Sequence, residues 1–296
     1  MADDDATALE VTLLGTGNPL PHPLRAGPST LVRAGGVNLM IDCGRGSLMR
    51  LAAAGLWPPA LHAVLLTHLH SDHICDFNDV LTTRWVMSPG ESPLPVIGPP
   101  GTKDFVEATM AMLRDDIGWR LAHHDDLHGP PVCNVTEILD GAIADDGPWP
   151  RVGLRVLVAP TDHKPVTPTI GYRFEYGDVA VAVVGDTLPC EGVDRLCDDV
   201  AVYVQTVVRA ALVRQVPSPR LQDILDYHST STQAGETAAR NRVGTLVMTH
   251  MVPAPDGVAA DRGWIDDAAV AFSGKIVVGS DLQSFHPTTS GDNQHE

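Results

Sequence analysis

The stretch His68–His73 is the part of the sequence best suited to chemistry, because it holds three imidazoles and one carboxylate within six residues. It follows the apolar run Val64–Leu66, which has the composition of a short buried strand. His68 and His70 lie two residues apart in extended backbone, so their side chains point to the same side. A solvated loop is the alternative, but unpaired polar groups at a buried strand end are unfavourable. Because imidazole and carboxylate bind zinc, manganese or iron, the stretch predicts a metal site.

Apolar runs rich in β-branched residues predict the strands that must position this cluster. In the first half of the chain the predicted strands are Leu9–Leu14, Thr30–Arg33, Val37–Asp42 and His62–Thr67. In the second half they are Leu154–Ala159, Ile170–Tyr176, Val179–Val184, Val200–Val208, Thr245–Thr249 and Lys275–Val278. The predicted helices are Ser47–Ala54, a helix from Asp72 or Asp76 to Val86, Thr102–Leu113, Thr232–Arg242 and Gly263–Phe272.

The order of these elements predicts the architecture. Strands come first in each half and helices follow, which favours two sheets face to face with helices outside them. Trp119–Pro150 has the weakest signals and is predicted to be rich in loops. We expect a single α/β domain over residues 9–288, with disordered tails at 1–8 and 289–296.

The composition is strongly acidic, with 20 Lys and Arg against 37 Asp and Glu and a net charge of −17. Nucleic-acid binding draws on basic residues, so the balance argues against a large polyanionic substrate. Solubility is an equally simple reason for the charge.

No apolar run approaches the roughly 20 residues of a membrane span, and the first residues do not resemble a signal peptide, so we expect a cytoplasmic protein without a membrane partner. The five cysteines are scattered singly, which does not indicate a thiolate metal site.

The motif H-x-H-x-D-H after a short apolar strand resembles that of the metallo-β-lactamase superfamily. Further motifs resemble its ribonuclease Z branch: Leu14–Gly17, Ile41–Gly46, His163, Gly171–Arg173, Gly185–Thr187, His228–Thr230 with Gln233-Ala234, and Thr249-His250. They occur in the family's order, and the resemblance runs from Leu9 to Leu282. It implies an αββα four-layer sandwich, the metallo-β-lactamase fold, and a metal-dependent hydrolase.

The resemblance also implies two divalent metal ions, with zinc expected and manganese or iron as alternatives. Seven side chains would hold them: His68, His70 and His163 the first ion, Asp72, His73 and His250 the second, with Asp186 bridging both. Three of these residues have simpler alternatives, since each follows a predicted strand. His163 could lie on the surface, Asp186 could cap a turn, and His250 could be an ordinary residue at a strand end.

The expected mechanism follows from this ligand set. Two divalent ions about 3.5–4 Å apart share a water and lower its pKa, so a bridging hydroxide becomes available as the nucleophile. We expect Asp72 to act in catalysis by orienting the proton of this nucleophile. His228 is the expected general acid for the leaving oxygen, because the family places a histidine of this segment near the scissile phosphate. Its alternative role is to cap the helix that follows.

Two departures from the family pattern bear on the substrate. Many bacterial ribonucleases Z carry a long flexible arm that grips tRNA, between the positions that match His163 and Asp186. Only the 22 residues 164–185 lie between them here, which leaves no room for an arm. The family's His-Glu-Ala-Thr segment corresponds to residues 204–207, where Val204 and the neutral Gln205 replace its histidine and acid. We therefore expect a contact that orients His228 to be lost.

These observations favour a phosphodiesterase of the ribonuclease Z-like type that acts on a small molecule or a short phosphodiester. RNA is disfavoured as a partner, and tRNA 3′ processing is doubtful without the arm. The main alternative is a small-molecule hydrolase that cleaves an aryl sulfate ester, a lactone or a carboxylic ester, and a non-catalytic metal-binding module is a third. The resemblance suggests a homodimer. The roles of His22, His123 and His124 stay open.

Overall fold

A computed structural model describes residues 9–143, 147–255 and 257–287, without the side chains of 258–260. The tails predicted at 1–8 and 289–296 lie outside these residues. The first sheet contains β1 (Glu10–Gly15), β2 (Ser29–Ala34), β3 (Val37–Ile41), β4 (Ala63–Leu65), β5 (Leu94–Gly98) and β6 (Cys133–Glu137). The second contains β7 (Gly141–Ile143), β8 (Arg155–Pro160), β9 (Ile170–Tyr176), β10 (Val179–Val184), β11 (Val202–Val208), β12 (Thr245–Val252) and β13 (Lys275–Val278).

Each sheet begins with antiparallel pairs and continues with parallel ones. In the first sheet β1, β2 and β3 pair antiparallel, and β3 to β6 pair parallel. In the second, β7 to β10 pair antiparallel, and β10 to β13 pair parallel. The turn at Gly35 and Gly36 joins β2 to β3 in a hairpin, as predicted, and both glycines have positive φ. The prediction of two similar halves is confirmed.

The helices are α1 (Ser47–Ala53), α2 (Ser71–Ile74), α3 (Phe77–Met87), α4 (Thr102–Met112), α5 (Arg114–His123), α6 (Glu191–Cys197), α7 (Ala210–Val213), α8 (Pro219–Gln222), α9 (Ser231–Arg240) and α10 (Val258–Ala269). Helices α1, α3 and α4 bury apolar side chains against the outer face of the first sheet. Helices α6, α9 and α10 do the same on the second sheet. A third apolar cluster, with Leu39 and Leu65 from one sheet and Phe174 and Val204 from the other, fills the space between them. The predicted αββα sandwich is therefore confirmed.

The structure differs from the predictions in local detail. The described part of Trp119–Pro150 is rich in loops, as predicted, but it also contains the end of α5 and the strands β6 and β7. These are short edge strands whose side chains are largely exposed, so they lack the apolar run by which a buried strand is recognised. Of the two starts predicted for the helix up to Val86, Asp76 is confirmed, because it directly precedes α3, whereas Asp72 lies in the separate short helix α2. The strand β14 (Ser284–Phe285) was not predicted; it returns to the first sheet and pairs antiparallel with β1.

No helix within the described ranges is both long enough and apolar enough to cross a membrane.

Candidate metal centre

The predicted ligands come from both sheets and meet at one edge of the sandwich. His68 and His70 lie in the short segment after β4, and α2 then presents Asp72 and His73 from its first turn. From the second sheet, His163 follows β8, Asp186 follows β10, and His250 lies within β12. The carboxyl ends of β4, β10 and β12 thus supply ligands to the same place, as expected for strands that run parallel to their neighbours.

Two glycines allow the backbone to close around this edge. A Cβ at Gly185 would overlap the side chain of Thr67, which belongs to the opposite sheet's ligand segment. A Cβ at Gly44 would overlap the backbone of Gly27 and the carbonyl of Asp72. Both positions need a residue without a side chain, because the Thr67 side chain fills the space at Gly185 and other backbone fills it at Gly44. This explains two of the glycines in the motifs that the sequence analysis singled out.

The seven side chains form two groups that share one carboxylate as a neighbour. In each group the candidate ligand atoms all lie within 4.8 Å of one another; the groups are His68, His70, His163 and Asp186, and Asp72, His73 and His250. Asp186 Oδ2 is central, because it lies 3.8 Å from Nε2 of His68, 3.6 Å from Nε2 of His73 and 3.7 Å from Nε2 of His250. A carboxylate at this place can contact ligands of both groups at once.

Several polar atoms at the centre are buried and have no hydrogen-bond partner. They are His68 Nε2, His73 Nε2, Asp186 Oδ1 and His250 Nδ1. Leaving a buried polar atom unpaired costs about 1–3 kcal/mol. All four atoms belong to side chains of the two groups, and two of them, His68 Nε2 and His73 Nε2, lie 3.8 Å and 3.6 Å from Asp186 Oδ2. The residues present therefore fit divalent cations, which accept lone pairs from imidazole and carboxylate.

Asp42 fixes the orientation of two of the imidazoles. It follows β3 in left-handed backbone conformation, with φ 59°. His73 Nδ1 donates to Asp42 Oδ2 over 2.8 Å, and the Thr67 hydroxyl donates to the same oxygen over 2.8 Å. Because the hydroxyl proton of Thr67 points to Asp42, its oxygen can only accept a hydrogen bond from His68 Nδ1, which lies 3.0 Å away. Both imidazoles consequently carry a proton on Nδ1 and present Nε2 toward the centre.

Backbone carbonyls orient two further histidines. His163 Nδ1 donates to the carbonyl of Tyr227 over 2.8 Å. His228 Nδ1 donates to the carbonyl of Ile224 over 2.9 Å, and its Nε2 lies 3.2 Å from Asp186 Oδ2. The sequence-predicted general acid therefore lies against the central carboxylate, with its second nitrogen facing the metal centre.

The electrostatics of the centre favour positive charge. Burial raises the pKa of Asp186, but the charges of His250, His73 and His228 outweigh it and hold the pKa well below its usual range. Burial lowers the pKa of His73, but the carboxylates of Asp186 and Asp42 outweigh it and raise the pKa well above its usual value. The carboxylates that hold a proton on His73 so strongly also attract other cations, metal ions included.

The pKa values of the other ligand histidines in the first group shift in the opposite direction to that of His73. Burial, reinforced by the charge of His73, lowers the pKa of His68 well below its ordinary value. Burial likewise lowers the pKa of His70 and of His163, although Asp186 opposes this. These three imidazoles are therefore neutral at neutral pH, which is the form that binds a metal.

Other candidates from the sequence lie elsewhere. His22 is in the loop after β1, where its Nδ1 accepts from the amide of Leu24, and it belongs to neither ligand group. His123 and His124 are exposed at the end of α5. Gln205 is buried, accepts from the hydroxyl of Tyr203 and donates to the carbonyl of Thr206, while Val204 lies in the core between the sheets. The contact to His228 that was expected to be lost is made instead by the carbonyl of Ile224.

The sequence analysis missed the residues that orient the ligands. Asp42 was noted only as part of a motif, although a lone carboxylate directly after a buried strand is a signal that could have identified it. Thr67 offered a weaker signal, as a hydroxyl next to the first histidine. The carbonyls of Ile224 and Tyr227 gave no signal, because every residue has a carbonyl.

Comparisons with known proteins identify the family of the chain. The family model of the β-lactamase superfamily domain matches residues 37–251. A ribonuclease Z of Mycolicibacterium paratuberculosis is 53% identical over 276 residues, covering 93% of this chain and 96% of that protein. A ribonuclease Z of Mycobacterium tuberculosis is 50% identical over 283 residues, covering 94% and 99%.

Solved structures show the same fold at lower identity. The metallo-β-lactamase fold protein YhfI of Bacillus subtilis aligns with a TM-score of 0.69 and 20% identity, covering 94% of this chain and 99% of that one. The short form of human tRNase Z aligns with a TM-score of 0.67 and 21% identity, covering 94% and 100%.

Proposed function

Because the chain belongs to the ribonuclease Z-like branch of the metallo-β-lactamase superfamily, we propose that this metal-dependent hydrolase cleaves RNA and processes the 3′ ends of tRNA precursors. The observation that carries the proposal is the cluster of seven ligand-type side chains with His228 against its central carboxylate. The relatives named ribonuclease Z, at 50–53% identity over nearly the whole chain, support RNA over the short diester that the sequence alone favoured.

The absence of an arm between His163 and Asp186 does not exclude tRNA processing. The alignment with the M. paratuberculosis protein spans 276 residues and covers 93% of this chain and 96% of that protein. These figures leave no room within the aligned span for a long inserted arm in that relative. A chain without an arm between His163 and Asp186 is therefore compatible with the name ribonuclease Z.

We propose the ligand roles that the geometry supports. His68, His70 and His163 would hold one divalent ion, Asp72, His73 and His250 would hold the other, and Asp186 would contact both. Zinc suits these nitrogen and oxygen ligands, and manganese or iron are alternatives. When bound, the two ions supply Lewis acidity toward phosphate oxygens and an activated water.

The chain's own residues position the groups that exchange protons. His250 Nε2 lies 3.1 Å from Asp72 Oδ2, so the two side chains present their ligand atoms to the same place in the second ligand group. Burial lowers the pKa of His228, but the charge of Asp186 outweighs it and raises the pKa. His228 is therefore more protonated at neutral pH than an ordinary histidine. Since its Nδ1 proton is held by Ile224, the Nε2 proton is the one available to a leaving oxygen.

The test uses zinc-loaded protein and a tRNA precursor with a short 3′ extension. We expect a single cut at the end of the acceptor stem, and loss of that cut in Asp72→Asn, with bis(p-nitrophenyl) phosphate assayed in parallel. An intact precursor beside strong turnover of the small diester would favour the short-diester hydrolase instead. Inertness on both phosphodiesters beside turnover of an aryl sulfate or a lactone would favour the other ester hydrolase.

We also propose that residues 9–288 form one domain, because the core between the sheets takes side chains from both halves of the chain. The homodimer and the cytoplasmic location stay predictions. Sedimentation of the purified protein tests the first, and cell fractionation tests the second.

A further inference from the structure

Most basic side chains in the described part of this acidic protein form an ion pair or a hydrogen bond within the chain. Among the described residues, exposed cations with neither a carboxylate in ion-pair range nor a side-chain hydrogen bond are Arg45, Arg214, Arg220 and Lys275. Other exposed arginines pair with an acid, as Arg242 does with Asp198 at 2.7 Å. An unpaired cation is the expected state for a group whose partner arrives with a ligand.

Two of these four lie on one segment, residues 209–227, which we call the arginine segment. It contains α7, α8 and the short 3-10 turn Asp223–Asp226. It starts where β11 ends, at the edge of the sandwich that holds the ligands, and the Arg209 amide donates to the carbonyl of Val252 over 2.9 Å.

The other end of the arginine segment touches the metal centre directly. The carbonyls of Ile224 and Tyr227 accept from His228 and His163, and the ring of Tyr227 lies 4.7 Å from that of His228. The segment is therefore a wall of the centre, and a substrate that reaches His228 must pass beside it.

The arginine segment is less acidic than the protein as a whole. It carries three arginines against the two acids Asp223 and Asp226, in a chain of net charge −17, and since Arg209 pairs with Asp267, Arg214 and Arg220 are the two that remain to meet a ligand. Arg214 also lines an open cleft of about 370 Å³ together with Thr230 to Gln233 and Asp267. The acid in this cleft is neutralised, since Asp267 Oδ2 accepts from Arg209 over 2.8 Å.

We propose that Arg214 and Arg220 bind the phosphate backbone of the RNA that flanks the scissile bond, so that the arginine segment performs within the same subunit the task of a tRNA-binding arm. This rests on the proposed function, since it names the contact that holds the RNA. The guanidinium group suits phosphate because its donors match two oxygens at once, and such contacts supply much of the affinity for nucleic acids.

Of the two remaining unpaired cations, Lys275 provides a control that distinguishes the position of a charge from the mere loss of a charge. Lys275 is exposed and unpaired, but it starts β13 opposite Thr245, at the amino ends of the parallel strands and so away from the metal centre. Lys275→Gln is therefore the matched control. Arg45 adjoins the metal-binding loops, because its neighbour Gly44 lies against Asp72, and it is not used as a test position.

The experiment measures binding of labelled mature tRNA by fluorescence anisotropy and cleavage of the precursor, at several salt concentrations, with zinc-loaded wild type, Arg214→Gln, Arg220→Gln, the double variant and Lys275→Gln. We expect each arginine variant to raise Kd and KM several-fold and to reduce the slope of log affinity against log salt by about 1. Turnover of bis(p-nitrophenyl) phosphate and the behaviour of Lys275→Gln should match the wild type.

The outcomes separate this inference from the proposed function. If wild type binds and cuts tRNA and the double variant keeps the same Kd, KM and salt slope, the arginine segment does not hold the RNA. If all basic variants weaken binding equally, Lys275→Gln included, the effect is one of net charge and the inference fails as well. If wild type hydrolyses the small diester but neither binds nor cuts tRNA, both the proposed function and the inference fail.

Discussion

The metal centre and the arginine segment are neighbours built in opposite ways. In the centre the ligands are buried or half-buried, and most are held by a second hydrogen bond, as Asp42 holds His73. On the segment Arg214 and Arg220 are exposed and held by nothing among the described residues. Under the proposed function, reactivity and substrate choice therefore lie in separate parts of the molecule, since the chemistry needs groups that are fixed before the substrate arrives, whereas exposed charges suffice to attract a polyanion.

This separation makes substrates diagnostic. A change in the centre should affect every phosphodiester, whereas a change on the arginine segment should affect only a substrate long enough to reach it. His228 lies between the two, because its Nδ1 is held by the segment and its Nε2 faces the centre.

Removal of the metals should have the largest effect. Chelation followed by dialysis should abolish turnover of both RNA and bis(p-nitrophenyl) phosphate, because both depend on the same ligand groups. It should also lower Tm, since an ion present at 100 times its Kd adds about 2.7 kcal/mol to folding stability. Activity assays, calorimetry and elemental analysis check this. Re-addition of zinc should restore both activities, and full activity in verified metal-free protein would contradict the metal-dependent mechanism.

Substitution of His228 should reduce kcat much more on RNA than on bis(p-nitrophenyl) phosphate. We expect His228→Ala to reduce kcat on RNA by about 10²–10⁴-fold, as for loss of a general acid, because the leaving alkoxide needs a proton. Nitrophenolate is a good leaving group without one, so kcat on bis(p-nitrophenyl) phosphate should fall far less. Steady-state kinetics on both substrates check the difference. An equal loss on both would mean that His228 acts by positioning Asp186 rather than by donating a proton.

Substitution of Asp42 should weaken the second ligand group without touching substrate. Asp42→Asn should reduce metal affinity by about 10–100-fold, because the charge that orients His73 is lost. Competition with a chromophoric chelator measures the affinity. Asp281→Asn is the matched control, since that carboxylate also accepts several hydrogen bonds, from Thr16, Ala26 and Arg50, but not from a ligand. Equal metal affinity in the two variants would remove the positioning role of Asp42.

Salt should produce the smallest effect, and only on RNA. If two phosphate contacts are made, KM for the tRNA precursor should rise about tenfold between 50 and 200 mM salt. The small diester makes no such contacts, so its KM should stay constant over this range. Parallel kinetics in the two buffers check this, and an equal salt dependence of both substrates would place the effect at the metal centre.

The fold could be predicted from the sequence wherever strands were buried. Runs such as Val179–Val184 have an apolar side chain at every position, because helices or the other sheet cover both faces. The edge strands β6, β7 and β14 escaped prediction, since they are short and largely exposed, and β14 in addition pairs with a strand at the other end of the described chain. Local pattern contains no information about which distant strand supplies the hydrogen bonds.

Only part of the candidate site could likewise be predicted from local sequence. His68, His70, Asp72 and His73 are adjacent in sequence, so their residue types alone indicated a metal site. His163, Asp186 and His250 are isolated residues, and only the resemblance to a family connected them. The orienting contacts of Asp42 and of two carbonyls depend on tertiary packing, which residue type does not determine.

The return of β14 to the first sheet has a consequence for synthesis of the protein. Asp281 and β14 fasten the segment after β13 to β1 and to the loop between β1 and β2, at the opposite end of the sequence. While a ribosome is still translating the second half, β1 has a free edge and the ligands His163, Asp186 and His250 have not all emerged. The first half can therefore collapse early, but we expect no hydrolase activity before β12 and the segment after β13 have been made. Under the proposed function, this delay keeps an incomplete active site from acting on the tRNA that surrounds a translating ribosome.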